Sequence, residues 1–255
     1  MESVRLLKFT RVADAPASPG LYAWYGKLDS PVADYKRQID ADGNDIGEIR
    51  FRRLLAKHLE RYELSPFVVT GRGTFGTKWA GSLSDESVNI VQRAVLGDEL
   101  GEDVDPYVRE FAKSLSKVAE RERYRAALLD VLNRAYPAIS APIYIGVATN
   151  LRDRLSEHVG LYRQLRDAIK DPDRDLEKIR QFVERTDRGE AKDGKKAGFG
   201  HRAVAQGFQP DHLFAAVLPL DDFIDGDIPM KIKREIAEVG EWLLNHWHRP
   251  FAGRR

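Results

Sequence analysis

Arg154 and His158 lie four residues apart in the segment LRDRLSEH, a spacing that a helix turns into neighbours on one face. The arginine offers a planar, permanently charged fork shaped for phosphate oxygens. The histidine is the kind of side chain that titrates near neutral pH. Glu241, in EWLLNHWHRP, supplies a hard carboxylate oxygen of the type Mg²⁺ prefers. One or two such ligands suffice when phosphate and water complete the shell. Tyr22, in GLYAWYG, and Tyr144, in APIYIGV, carry phenols. A phenol acts as a base only where nearby cations lower its pKa of about 10. Phosphodiester hydrolysis needs a water nucleophile, neutralised phosphate charge and a stabilised leaving oxygen, and these side chains match that list. Taken singly, each has an ordinary reading. Strand tyrosines pack, an Arg-x-x-x-His pair with Asp153 and Glu157 makes a solvated helix face, and Glu241 beside Trp242 is the polar side of an amphipathic helix.

Strands and helices must hold these groups in place. Gly20–Gly26 follows a Pro-Ala-Ser-Pro turn and reads as a short aromatic strand, and Ala141–Val147 reads as a second. His212–Leu220 has the apolar run of a buried strand. A helix from about Thr149 to Ile169 carries Arg154 and His158, and another spans about Asp173 to Thr186. The last runs from Pro229 to about Trp247, carries Glu241 and is ended by Pro250. Gly189–Gly207, rich in glycine and lysine and without apolar periodicity, reads as a loop.

The stretch 27–140 is too long for a hairpin connection and has its own pattern. Ile46–Tyr62 is apolar at helical spacing, and Phe67–Leu83 holds two β-rich runs around Gly71-Arg72-Gly73. A short helix is expected over Asp85–Leu96. A long one is expected over Asp105–Tyr136, with Asp105 as N-cap and Pro106 at its first position. The expected organisation is a discontinuous core, 1–26 and 141–255, with a mostly helical inserted subdomain at 27–140.

The chain has 255 residues, 42% hydrophobic and 32% charged, the balance of a globular protein. It has no cysteine, which excludes disulfides, thiolate metal sites and cysteine nucleophiles. The N-terminal MESVRLLKFTRVADAP lacks a signal-type apolar stretch, and no segment approaches the roughly 20 apolar residues of a membrane span. A cytoplasmic location and no membrane partner are expected. His58, His201, His212, His246 and His248 have no acidic or cysteine companions at metal-ligand spacing.

A net charge of +1 does not announce a nucleic-acid partner, so any basic surface is local. One basic window contains Arg50, Arg52, Arg53, Lys57, Arg61, Arg72 and Lys78, against Glu60 and Glu63. A second, from Arg185 to Arg202, contains Lys192, Lys195 and Lys196. Such windows are ordinarily solvated faces.

GLY at Gly20–Tyr22, YIG at Tyr144–Gly146 with VATNLRDRLSEH after it, and EWLLNHWHRP at Glu241–Pro250 resemble, in order, the motifs of the GIY-YIG nuclease family. The spacings agree as well as the letters. Arg154 lies ten residues after Tyr144 and Glu241 nine before Pro250, as in the DNA-repair members. His158 is similar to a catalytic histidine of some restriction-enzyme members. Val147 stands where many members have lysine or serine, and Gly253 where the usual asparagine falls, with Asn245 a candidate substitute. The insertion lies outside the resemblance.

The resemblance implies an α+β fold, a small antiparallel sheet of three strands flanked by helices, with Tyr22 and Tyr144 on adjacent strands. It implies hydrolysis of DNA phosphodiesters with Mg²⁺ or Mn²⁺, leaving 5′-phosphate and 3′-hydroxyl ends. Tyr22 would activate or position the water, and Arg154 would clamp the scissile phosphate. Glu241 would hold the metal, His158 would relay a proton and Tyr144 would orient the nucleophile or phosphate. With no zinc-finger or helix-turn-helix signature, the chain looks most like a restriction or phage-defence nuclease, for which a dimer is one assembly. DNA contacts are expected from Arg50, Arg52, Arg53, Lys57, Arg72 and Lys78 of the insertion and from Lys195, Lys196 and Arg202 of the glycine-rich loop. The alternatives are a repair or structure-specific nuclease, or a catalytically silent nucleic-acid-binding module of the same fold, which Val147 and Gly253 motivate.

Overall fold

Every second residue of Gly20–Gly26 is buried: Gly20, Tyr22, Trp24 and Gly26 turn inward, while Leu21, Ala23 and Tyr25 are half-buried. Leu213–Pro219 repeats the pattern. A period of two with one fully packed face makes these segments strands of one sheet. The computed structural model describes residues 4–61, 67–72, 78–83, 86–101, 104–135, 139–187, 197–222, 224 and 228–248. Its elements are β1 (Arg5–Lys8), β2 (Gly20–Gly26), α1 (Ile46–Glu60), β3 (Phe67–Arg72), β4 (Lys78–Leu83), α2 (Glu86–Leu96), α3 (Pro106–Ala119), α4 (Glu122–Ala135), β5 (Tyr144–Ala148), α5 (Leu151–Ala168), α6 (Pro172–Asp187), α7 (Phe199–Ala205), β6 (Leu213–Pro219) and α8 (Met230–His248).

The class is α+β. The chain divides into two compact units, one of 1–27 with 136–255 and one of 28–135. The expected breaks were at 26 and 141. The first unit holds an antiparallel sheet in the order β1-β6-β2-β5. It has four strands, not the three expected. The extra strand, β1, is only RLLK, too short to show alternation. Its exposed Arg5 and Lys8 suit an edge, where charge discourages further strand pairing.

One sheet face packs on α5, α7 and the 3-10 turn Phe9–Asp14 through Phe9, Trp24, Tyr162, Phe199 and Phe208. Gly26 leaves room for Phe208: a Cβ there would lie 2.1 Å from the Phe208 ring. α7 corrects the expectation of a loop over Gly189–Gly207. Seven residues are too few to display a period, and burial of Phe199, Ala203 and Val204 fixes the helix instead. Arg202, expected on that loop as a DNA contact, is buried in α7. Lys192, Lys195 and Lys196 lie outside the described residues, as do Pro250 and Gly253. The opposite sheet face receives α8 at Gly240, where a Cβ would lie 3.4 Å from Leu21.

The second unit packs α1–α4 around Leu28, Phe51, Ala56, Val95, Leu115, Ala119 and Leu129. β3 and β4 pair antiparallel from Phe67↔Leu83 to Arg72↔Lys78. β3 runs through Gly71 and Arg72, where a turn was expected, and Gly73 and Phe75 lie outside the described residues. Asp105 caps α3 as expected, accepting from Tyr107 N at 2.7 Å. The long helix over Asp105–Tyr136 is, however, two helices broken at Glu120–Arg121. Leu115, Ala119, Arg125 and Leu129 would share a face of one unbroken helix, so periodicity cannot reveal the break. Arg125 accounts for it. Fully buried, it donates to the α3 carbonyl of Ala119 at 2.6 Å and to Tyr35 O at 2.7 Å, and pairs with Asp45 at 2.9 Å. Arg52, expected to face DNA, is likewise buried, bonding Glu48, Val95 O and Ser116. Arg50, Arg53 and Lys57 are exposed along one ridge of α1. No helix among the described residues is long and apolar enough to cross a membrane.

Candidate active site

β2 and β5 pair so that Tyr22 faces Gly146 and Trp24 faces Tyr144. Cross-strand partners share a face, so these side chains project together toward α5. The missing side chain at Gly146 lets the Tyr22 ring cross β5. A Cβ there would lie 2.5 Å from the Tyr22 hydroxyl and 2.9 Å from the Tyr144 ring. The two tyrosine rings stack with centroids 6.0 Å apart.

α5 is aimed by its first turn. Asn150 caps it, accepting from Asp153 N at 3.2 Å. Leu151 N bonds Ser18 O, and the Arg152 guanidinium bonds Ala15 O, which tie the helix start to the segment entering β2. Arg154 and His158 then reach the tyrosines from one face. His158 is buried against Tyr22, Tyr144 and Phe199, with ring centroids 5.3–5.5 Å away. Trp24 Nε1 donates to His158 Nδ1 at 3.1 Å, and His158 Nε2 lies 3.4 Å from the Tyr22 hydroxyl. Burial, helped by the Arg154 charge, pushes the His158 pKa down to about 3. It is therefore neutral at pH 7 and, with Nδ1 occupied as an acceptor, presents Nε2–H to Tyr22. The proton-relay role expected of His158 does not follow from this geometry.

Burial also pushes the Tyr22 phenol well above its usual value. Tyr144 adds to the rise, and the positive charge of Arg154 only partly offsets it. Tyr22 is thus a neutral phenol here. Partial burial opposes the charge on Arg154, but Glu157 and Tyr22 outweigh it and raise its pKa. Arg154 Nη1 pairs with Glu157 at 2.8 Å, with its side chain 38% exposed.

A cleft of about 740 Å³ opens beside Arg154. Its walls include Val147, Asn150, Asp153 and Glu157 on one side and Arg234, Ala237 and Glu238 of α8 on the other. Arg234 and Glu238 form an ion pair at 2.7 Å. Glu241 is half-buried and follows Ala237 by one turn, so it continues the ridge of α8 just beyond the cleft lining. The Asn245 amide donates to the Glu241 backbone carbonyl at 2.9 Å, bonding its own helix.

The structure thus brings Tyr22, Tyr144, Arg154 and His158 into one cluster and sets Glu241 on the neighbouring helix. Among the described residues no three or more acidic or histidine side chains converge as a cage. The donor set suits an ion held by one carboxylate with phosphate and water filling its shell, the habit of Mg²⁺. Sequence reasoning missed Trp24, although its place two residues after Tyr22 puts it on the same strand face. It also missed the cleft pair Arg234 and Glu238, which on a helix look like any i,i+4 surface pair. No family model, curated protein or solved structure matches the chain.

Proposed function

We propose that the chain is a metal-dependent endonuclease of the GIY-YIG type that hydrolyses DNA phosphodiester bonds, as a restriction or phage-defence enzyme. One observation carries this reading: the Tyr22 hydroxyl, passed over Gly146, lies within the influence of the half-exposed Arg154 charge, beside an open cleft. Packing alone does not require an arginine at a buried phenol. A phosphate binder next to an oriented hydroxyl does.

In this reading Arg154 exchanges its Glu157 partner for oxygens of the scissile phosphate. Exposed ion pairs are worth no more than about 1 kcal/mol, so the exchange is cheap. Tyr22 and Tyr144 orient the attacking water, and His158 holds the Tyr22 oxygen through Nε2–H. Glu241 would hold Mg²⁺ or Mn²⁺, which supplies charge neutralisation on the phosphate and leaving oxygen. As a neutral phenol, Tyr22 positions the water; it becomes a base only where added positive charge lowers its pKa. The exposed Arg50, Arg53 and Lys57 of α1 are the DNA contacts that remain among the insertion's described side chains.

The test is plasmid cleavage with Mg²⁺ and with EDTA, followed by sequencing of the ends. Cleavage only with the metal is expected, and discrete ends mark a restriction enzyme. Absence of cutting with either Mg²⁺ or Mn²⁺ sinks the proposal.

A further inference from the structure

We propose that Trp24 is a positioning residue of this site: its indole N–H fixes the tautomer of His158, so that the imidazole donates a hydrogen bond to Tyr22 and takes no proton from it. Its effect on rate rests on the nuclease reading; the tautomer itself does not.

The indole nitrogen can only donate. At 3.1 Å it addresses His158 Nδ1, which must therefore hold a lone pair. Both the Nδ1–H tautomer and the doubly protonated ring would set two hydrogens against each other. The single proton is left on Nε2, 3.4 Å from the Tyr22 oxygen. Trp24 has little freedom to turn away. It is fully buried, stacked on Phe199 at 4.5 Å and flanked by Phe9 at 5.8 Å. His158 is stacked on the same Phe199 ring, so one aromatic plane holds donor and acceptor in register.

The consequence reaches Tyr22. A phenol oxygen has one hydrogen and two lone pairs. His158 Nε2–H addresses one lone pair. The Tyr22 hydrogen is then directed away from His158. An indole that touches no substrate thereby sets which way the phenol points.

The experiment uses the full chain labelled with ¹⁵N-histidine. Two-bond ¹H–¹⁵N correlations at pH 7 read the protonation of each ring nitrogen. His158 is expected to show a bare, hydrogen-bonded Nδ1 and a protonated Nε2. Trp24→Phe keeps a ring but removes the donor. It is expected to bring in the Nδ1–H tautomer and to lower kcat by roughly tenfold or more with little change in KM. A wild-type spectrum with Nδ1–H or a charged ring overturns the proposal, as does a folded Trp24→Phe that keeps the wild-type tautomer and kcat. If that variant does not fold, the wild-type spectrum alone decides. A chain that cuts no DNA overturns the nuclease reading, and the spectrum still decides the tautomer.

Discussion

Gly146→Ala tests the way the site is assembled. An ideal Cβ at this position lies 2.5 Å from the Tyr22 hydroxyl, 2.6 Å from its Cζ and 2.9 Å from Tyr144 Cε1. Carbon contacts settle at about 3.5–4.0 Å, so the Tyr22 ring must retreat by about 1 Å. It has nowhere to go without cost, because Tyr22 is buried and His158 and Tyr144 stand on either side. Overpacking of this kind costs about 1–3 kcal/mol, and loss of the 3.4 Å contact to His158 adds up to about 1 kcal/mol. At about 2–4 °C per kcal/mol, the first unit's melting transition should fall by about 2–16 °C. A 1 Å displacement of a positioning group costs about a hundredfold in rate. Scanning calorimetry and plasmid cleavage measure the two effects. Gly160→Ala is the matched control: it is exposed in mid-α5 with nothing near its missing Cβ, and should stabilise by up to about 1 kcal/mol. A Gly146→Ala protein with wild-type melting and wild-type cleavage would refute the reasoning.

Glu241→Gln should abolish Mg²⁺-dependent cleavage while DNA binding by gel shift persists; near wild-type cutting would remove Glu241 from the metal site. Arg154→Lys should lose at least about tenfold in rate, or roughly 1.4 kcal/mol, because a point charge cannot span two phosphate oxygens; a smaller loss places Arg154 away from the scissile phosphate. The His158 pKa, about 3 when folded against about 6.5 when unfolded, favours the neutral ring in the folded state. Its contribution is complete above pH 6.5 and lost as pH falls toward 3, with an upper bound of about 5 kcal/mol; His158→Gln should flatten that part of the stability curve, and parallel curves would refute the assignment. Arg53→Glu with Lys57→Glu should flatten log affinity against log salt by about one unit per lost phosphate contact, with folding intact; an unchanged slope moves the DNA surface off α1.

The strands and most helices of the first unit were legible because their signals are local. GLYAWYG is a short aromatic run after a proline turn, and Pro229 marks the start of α8. β1 and α7 were not legible, because each spans no more than about two periods of its own pattern. The break between α3 and α4 left no trace, because the buried positions stay in phase across it. Charge was the least reliable guide. Arg52 and Arg202 read as exposed DNA contacts in one dimension, yet both are buried, as is Arg125. For Arg52 and Arg125 the carbonyls and carboxylates that hold them come from distant parts of the chain. The side chains of Arg72 and Lys78 have no described surroundings. Within the site, residue identities were readable from motif spacing, but the direction of the His158–Tyr22 hydrogen bond was not. It depends on Trp24, whose indole reaches His158 only after β2 and α5 have packed.

β2 and β5 are sheet neighbours separated in the chain by the whole second unit. Closing a flexible loop of that length costs about 4 kcal/mol of chain entropy before any strand pairing is gained. The folded second unit removes much of this cost, because its first and last segments already meet: Asn133 Nδ2 donates to Ser30 Oγ at 3.3 Å. A second unit that is already folded therefore leaves little further loop entropy to lose when β2 pairs with β5, so the stability of that pairing depends on residues that never enter the site.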